Sequence, residues 1–195
     1  ILAASATRNV RDSTWWQDVV AGTDARDGTG AVNAAEAHRV AQNRRWRNAS
    51  ATRRGWDKGL LTSSDFDGSK LSTFSYQVYV PNSFFGPRKV KVALAWTSKI
   101  GTFFGFPFSS NLAVDLDLKI YDSSGQQVGY SGSWDNSYEI AEFTGQRGHT
   151  YTIRIRRWSG SDSTWFGIAW TVTGGLLFPW PIGELALERA TRRRL

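Results

Sequence analysis

The sequence predicts a mainly β protein: an antiparallel sandwich of the jelly-roll or Greek-key kind, preceded by a short helical segment. Residues 71–173 contain a series of runs in which apolar residues recur at every second position. Clusters of Pro, Gly, Asn and Ser separate these runs, and no helical pattern lies between them. The 195 residues include ten Trp and nineteen Gly, a composition more typical of extracellular β-sandwiches than of helical enzymes. We therefore expect two stacked antiparallel sheets around one core.

Changes in composition and period divide the chain into four regions. They are a helical segment at residues 1–48, a connector without periodicity at 49–70, the β-sandwich domain at 71–173 and a basic C-terminal tail at 174–195.

The first region contains one helix, predicted for Asn33 to Trp46. Asn33 is a favourable N-cap residue, and Glu36 follows it at the spacing of a capping box. The helix is rich in Ala, so it buries little surface by itself and must lie closely against another part of the protein.

The β domain contains seven candidate strands that alternate apolar and polar residues. They are Ser72 to Val80, Lys89 to Trp96, Val114 to Asp122, Gln127 to Tyr130, Tyr138 to Thr144, Thr150 to Trp158 and Trp165 to Thr173. Alternation also predicts the core. Its expected members are Tyr76, Val78, Val92, Leu94, Trp96, Leu116, Leu118, Ile153, Ile155, Ile168 and Trp170.

Two carboxylates interrupt the strand that begins at Val114. Leu116 and Leu118 point to one face, while Asp115 and Asp117 point to the other, so a half-buried strand is expected. Asp is unfavourable in strands, and like charges on one face repel. The pair therefore requires a bound cation, a hydrogen-bonded turn or full solvation.

Charge and composition exclude several functional classes. The net charge of +7 comes largely from Arg in residues 39–54 and 189–194, outside the β-rich part where a groove for nucleic acid would lie. These residues are interpreted as a solvated helix face and a frayed end, with no specific nucleic-acid partner.

The lack of Cys excludes disulfides, thiolate zinc sites and a Cys nucleophile. No apolar run is long enough for a membrane-spanning helix, and the lack of Met favours a processed fragment of a longer protein.

Two groups of motifs carry a family resemblance. ILAASAT followed by DARDGTGAVNAAEAHRVA resembles the end of a subtilisin-like serine protease catalytic domain. KVKVALAWTS, AVDLDLKIYDSSG, WDNSYEIAEF and HTYTIRIRRW resemble the jelly-roll domain that follows the catalytic domain in a branch of that family. The resemblance covers residues 1–42 and 71–172, in the order that the family has them.

The resemblance implies a secreted, C-terminal piece of a serine peptidase that lacks the catalytic groups. In the family the nucleophile lies in a Gly-Thr-Ser segment upstream, and no Gly-Thr-Ser occurs here. His38 and His149 have no Ser and Asp in a convincing order. The expected partners are the parent's catalytic domain, against which the Phe-rich segment at residues 100–110 would dock, and its protein substrate.

Asp115, Asp117 and Asp135 are the candidate calcium ligands, because carboxylate oxygens suit Ca²⁺. Similar jelly-roll domains often bind calcium, which the resemblance extends to this chain. Asp122 and Asn136 are candidates to complete the ligand set. The alternative is that these groups are solvated or bond to neighbouring loops.

Trp134, Trp158 and Trp165 are the candidate binding residues, since indole rings at strand ends stack on sugars or on apolar peptide side chains. Three such rings on one flat face would instead indicate a stand-alone carbohydrate- or surface-binding module. The competing interpretation is that they cover the rims of the core.

Overall fold

Strands make up most of the described chain, as the period-two pattern predicts. The structure, a computed structural model, describes residues 1–6, 32–82, 88–97, 101–103, 106–109, 112–133 and 136–174. Two helices come first, α1 (Leu2–Ser5) and α2 (Ala34–Ala41). The strands are β1 (Arg54–Leu61), β2 (Tyr76–Tyr79), β3 (Arg88–Trp96), β4 (Gly101–Phe103), β5 (Phe106–Ser109), β6 (Asp115–Tyr121), β7 (Gln127–Ser131), β8 (Tyr138–Gly145), β9 (Thr150–Ser159) and β10 (Thr164–Thr173). The predicted basic tail lies outside the described residues from residue 175 onward.

Two four-stranded antiparallel sheets form the sandwich. The first sheet has the order β1-β10-β3-β8, and the second has the order β2-β9-β6-β7. Within these sheets only β6 and β7 are neighbours both along the chain and in space, so most connections cross from one sheet to the other. Such long-range pairing is typical of Greek-key and jelly-roll sandwiches. The predicted fold class is confirmed.

The core lies between the two sheets. Every residue that alternation assigns to the core is at most 6 % exposed, and the largest of them, Trp170, is 1 % exposed. The indole N–H of Trp96 donates to the Val114 carbonyl at 2.8 Å, so this ring is buried without leaving a donor unpaired.

The predicted connector at residues 49–70 is wrong in its central part, which forms the edge strand β1. β1 pairs with β10 along its full length, from Arg54 opposite Thr171 to Leu61 opposite Thr164. Of its four inward positions only Leu61 is apolar, and the other three carry Gly55, Asp57 and Gly59, so the strand lacks the apolar alternation by which a strand is recognised.

Helix α2 begins where the sequence predicts and ends five residues earlier. The Asn33 side chain accepts a hydrogen bond from the Glu36 N–H at 3.0 Å, which confirms the cap. The helix stops at Ala41 because the following residues pair with β1. The Arg45 N–H donates to the Trp56 carbonyl at 2.8 Å, and the Trp56 N–H donates to the Asn43 carbonyl at 3.2 Å.

The Phe-rich segment at residues 100–110 includes a short antiparallel hairpin of β4 and β5, where a Gly-rich loop was expected. Docking of this segment on another domain stays a prediction. The two described helices are both too short to cross a membrane.

Gly55 is required by the ring of Trp170. A Cβ at residue 55 would lie 2.2 Å from Cζ2 of that ring, and both groups are fixed in adjacent strands. We expect Gly55→Ala to lower the free energy of unfolding by about 1–3 kcal/mol, measured by urea denaturation. Gly68→Ala is the matched control, since a Cβ there meets nothing within 4 Å. Equal losses in the two variants would contradict this account.

Candidate functional site

Asp115 and Asp117 of β6 are buried, where the sequence predicts a half-buried strand with an exposed polar face. Asp115 is 6 % exposed and Asp117 is 3 % exposed. Full solvation, one of the three explanations for this pair, is therefore wrong. β6 lies between β9 and β7, and the side chains of these neighbours cover the beginning of its outer face.

Asp117 is enclosed by three groups. The Arg156 guanidinium, directly across on β9, lies 3.4 Å from its Oδ2. The Tyr130 hydroxyl donates to the same carboxylate. Gly132 leaves room for this contact, because a Cβ there would lie 2.2 Å from the Tyr130 hydroxyl and 2.9 Å from Asp117 Oδ1. Burial raises the pKa of Asp117, and Arg156 offsets part of the rise.

A third carboxylate, Glu139 at the start of β8, is completely buried beside the Asp pair. It accepts hydrogen bonds from the Ser131 hydroxyl and, at 2.6 Å, from the Ser133 N–H. Burial raises the pKa of Glu139 to about 8 against these hydrogen bonds, and the charges of Asp117 and Asp115 add to the rise. We call Asp115, Asp117 and Glu139 the acidic site.

Asp115 is the least compensated member of the acidic site. Its Oδ1 is buried and has no hydrogen-bond partner in the part of the chain that the structure describes. Burial raises the pKa of Asp115 to about 6, and the neighbouring Asp117 contributes to the shift. A buried carboxylate oxygen without a partner costs free energy unless a proton or a cation reaches it.

The other candidate calcium ligands lie in three different situations. Asp135 lies outside the described residues. Asn136 donates from Nδ2 to the hydroxyl of Ser133, the residue whose N–H donates to Glu139, at 3.1 Å. Asp122 follows the opposite end of β6, where its Oδ1 accepts from the N–H groups of Ser124 and Gln126, so it closes a turn far from Asp115. Among the described residues, no three acidic or His side chains lie in an arrangement that could hold a metal ion.

The described Trp candidates do not share one face. Trp158 is 40 % exposed at the end of β9 in the second sheet, and Trp165 is 58 % exposed at the start of β10 in the first sheet. Each points away from the core, so the two rings lie on opposite outer faces of the sandwich. The Arg156 guanidinium also stacks 4.3 Å above the Trp158 ring. Trp134 lies outside the described residues.

A Ser, a His and an Asp border one cavity of about 300 Å³ at the Asp122 end of the sandwich. They are Ser123, His149 and Asp122. The Asp122 carboxylate is occupied by Ser124 and by backbone N–H groups, and no described hydrogen bond joins it to His149. This cavity therefore has no arrangement of a nucleophile and an oriented base.

Sequence reasoning missed the burial of several charged residues, among them Asp57, Lys91, Glu139 and Arg157, of which the last two matter for the candidate sites. Arg157 is 6 % exposed and occupies an inward position of β9. The run YTIRIRRW carries the signal, because Arg157 stands where the alternation of Ile153 and Ile155 calls for an apolar residue.

Comparison with known proteins yields likeness of fold only. No protein-family model and no curated protein matches the chain. Among solved structures, the pre-peptidase C-terminal domain of a collagenase from Bacillus anthracis is 11% identical with a TM-score of 0.40, over 67% of this chain and 100% of that domain. A carbohydrate-binding module, CBM36, solved with calcium and xylotriose, is 9% identical with a TM-score of 0.34, over 66% of this chain and 92% of the module. Likeness of this degree carries no argument about function.

The raised pKa of Glu139 predicts that stability without calcium falls as the pH rises. Protonated Glu139 is stabilising below its unfolded-state pKa of 4.5, and this contribution is lost as the pH passes through about 8. In a chelating buffer, the melting temperature should decrease between about pH 5 and pH 8.5. Glu139→Gln, which keeps a hydrogen-bonding amide, should flatten this decrease. An unchanged slope in the variant would show that Glu139 does not titrate in this range.

Proposed function

We propose that this chain is the C-terminal part of a secreted subtilisin-like serine peptidase and that its sandwich is a non-catalytic accessory domain. In this proposal, residues 1–48 are the end of the catalytic domain, and the sandwich stabilises that domain by holding them. The observation that carries the proposal is the contact between the two helices and the outer face of the first sheet.

The apolar part of this contact consists of small side chains. Ala4 of α1 and Val40 of α2 pack against Ala93, Ile140 and Ala169 of the first sheet. All five are at most 7 % exposed. Small residues let the helix and sheet backbones approach closely. The outer face of the first sheet is therefore the surface that the Ala-rich helix requires. The sandwich therefore carries a second apolar cluster outside its main core.

A buried ion pair fixes the position of α2. Glu36, 4 % exposed, accepts from the Arg54 guanidinium of β1 through both carboxylate oxygens. The Thr171 hydroxyl of β10 donates to the same carboxylate at 2.6 Å. These contacts hold the pKa of Glu36 below its usual value against the effect of burial. A bidentate ion pair of this kind fixes the orientation of α2 on the sheet as well as its contact with β1.

The end of α1 is held in a similar way. Lys91, 6 % exposed on β3, donates from Nζ to the Ala6 carbonyl at 3.2 Å. Both helices are thus attached by a buried charged group as well as by apolar packing. A domain that binds the end of its neighbour in this way raises the cost of unfolding that neighbour, since the contact exists only in the folded state.

Calcium at the acidic site is the second element of the proposal. Asp115 fits a cation best, because its Oδ1 is buried and no described residue bonds to it. Asp117 and Asp135 are the other proposed ligands, with backbone carbonyls expected to complete the set. Arg156 and Tyr130 already engage Asp117, so a cation would draw first on Asp115. Bound calcium would supply charge compensation and no reaction chemistry.

If α2 docks on the sheet, a large side chain should destabilise the protein on the packed face of α2 and not on its exposed face. Ala37 is 8 % exposed on the packed side, and Ala41 lies on the exposed side. Ala37→Trp should force the helix from the sheet and lower the free energy of unfolding by about 1–3 kcal/mol, whereas Ala41→Trp should change it little. In the parent enzyme, Ala37→Trp should also accelerate thermal inactivation of peptidase activity.

Equal effects of the two Trp substitutions would contradict the docking role. The parent assignment has its own check in the coding sequence upstream of Ile1, where Gly-Thr-Ser should occur within a few tens of residues. An upstream sequence without a peptidase would overturn the assignment and leave the contact itself unaffected.

Calcium binding predicts a rise in melting temperature with millimolar Ca²⁺ over a chelating buffer, because a ligand that binds only the folded state stabilises it. At a concentration of about 100 times the dissociation constant, the gain is about 2.7 kcal/mol. Asp115→Asn should abolish the rise. Asp122→Asn, which changes a carboxylate at the far end of β6, is the matched control and should retain it. No rise in the unmodified protein would remove calcium from the proposal.

A further inference from the structure

A second cavity lies at the end of the sandwich where β9 finishes. It has a volume of about 250 Å³ and is bordered by residues 157–161 and by Ser63, Phe66, Asp67 and Lys70. Its walls are fixed by backbone contacts. The Arg157 N–H donates to the Lys70 carbonyl at 2.8 Å. Gly160 has a φ of +81°, and a Cβ there would lie 2.1 Å from the Ala113 carbonyl oxygen, so this turn requires glycine.

Arg157 contributes a buried guanidinium to this cavity. Its Nη1 donates to the Ser63 hydroxyl at 3.3 Å, and its planar group lies 4.4 Å above the Phe66 ring. Its Nε and Nη2 are buried and have no hydrogen-bond partner among the described residues. Burial lowers the pKa of Arg157, which is the sign of a cation that has lost its water without full replacement. Two adjacent free donors match the fork geometry by which Arg binds a carboxylate.

The acidic groups near Arg157 are largely engaged elsewhere. Asp65 accepts from Arg47 at 2.6 Å and from the Thr62 N–H at 2.8 Å. Asp67, which borders the cavity, accepts from Arg154 at 3.1 Å and from two backbone N–H groups. Asp162 is exposed and close enough to raise the pKa of Arg157.

A second cation stands at the rim of the cavity. Lys70 is exposed, and its Nζ donates to the Trp158 carbonyl at 3.2 Å. With Arg157 inside and Lys70 at the rim, the cavity favours an anionic group. Ser159 and Ser161 also border the cavity and carry hydroxyl donors, whereas the Ser63 hydroxyl already donates to the Ser161 carbonyl at 3.3 Å.

The aromatic rings of the cavity favour an acidic peptide over an acidic sugar. A sugar would need a free ring face on which to stack. One face of Phe66 is covered by Arg157, and one face of Trp158 is covered by Arg156. A carboxylate on a flexible side chain needs no free aromatic face. The cavity volume of about 250 Å³ accommodates one amino-acid residue.

We propose that this cavity binds a carboxylate side chain of an acidic peptide segment, with Arg157 as the paired cation and Lys70 at the entrance. The site is separate from the acidic site and needs neither calcium nor a peptidase parent. In an accessory domain it would retain acidic segments of a protein substrate.

The test measures binding of a fluorescent, N-acetylated and amidated hexaglutamate peptide to the full chain at low salt. Hexaglutamine is the uncharged comparison peptide, and trigalacturonate is the acidic sugar. We expect hexaglutamate to bind and hexaglutamine not to bind. Arg157→Met should weaken binding by roughly tenfold or more, as loss of one partner of a buried charge pair does. In a ¹⁵N-labelled chain, the peptide should also shift the Arg157 Nε–H resonance.

Two further variants separate the cavity from general charge attraction. Ser161→Trp, at an exposed position on the rim, should obstruct the cavity and weaken hexaglutamate binding by roughly tenfold or more, like Arg157→Met. This variant tests the cavity even if the Arg157→Met protein does not fold. Lys58→Met removes an exposed cation from β1, away from the cavity, and should change the affinity by less than about twofold. Absence of hexaglutamate binding, equal losses in Lys58→Met and Ser161→Trp, or tighter binding of trigalacturonate would each overturn the proposal.

Discussion

The pairing of β9 with β6 is the constraint on which both candidate sites depend. The register places Arg156 opposite Asp117, and it shifts between Asp115 and Leu116 so that Trp158 has no partner in β6. Arg157 lies on the inward side of β9 with Ile153 and Ile155, because the alternation continues unbroken up to it, while Arg156 and Trp158 point outward. One strand pair therefore holds a buried carboxylate, Asp117, on its outer side and a buried guanidinium on its inner side.

Buried charges are unequally compensated along the molecule. Where the helices meet the first sheet, both carboxylate oxygens of Glu36 accept hydrogen bonds from Arg54 or Thr171, so this buried charge is compensated. At the end where β9 finishes, Asp115 Oδ1 and both Nε and Nη2 of Arg157 are buried with no partner among the described residues, and Arg45 Nε, beside β1, is the other buried side-chain atom in this condition. An unpaired buried polar group is rarely retained for stability, because it costs more than it returns. The uncompensated end is therefore where ligands are expected.

The sequence predicts the sandwich well and its charged ends poorly, for a physical reason. Alternation identifies strands whose inward side chains are apolar, so β3, β6, β9 and β10 were found close to their true bounds. β1 is not predicted because three of its four inward positions are Gly55, Asp57 and Gly59. The ring of Trp170 requires Gly55, and the hydroxyl of Tyr76 bonds Asp57. The burial of Asp115 and Asp117 depends on Tyr130 and Arg156, which approach from neighbouring strands. The sequence places the two Asp on one face without indicating what covers that face.

The pairing of residues 43–45 with Trp56 has a practical consequence for where the molecule can be divided. The domain boundary that the sequence predicts after residue 48 lies between β1 and residues 43–45, which pair with the outer edge of β1. A recombinant product that starts at residue 49 would leave the backbone donors and acceptors of β1 open to other chains, next to an uncovered patch of Ala93, Ile140 and Ala169. Self-association through this edge is the expected fate of such a product. A product that includes residues 32–48 would keep this edge of β1 covered.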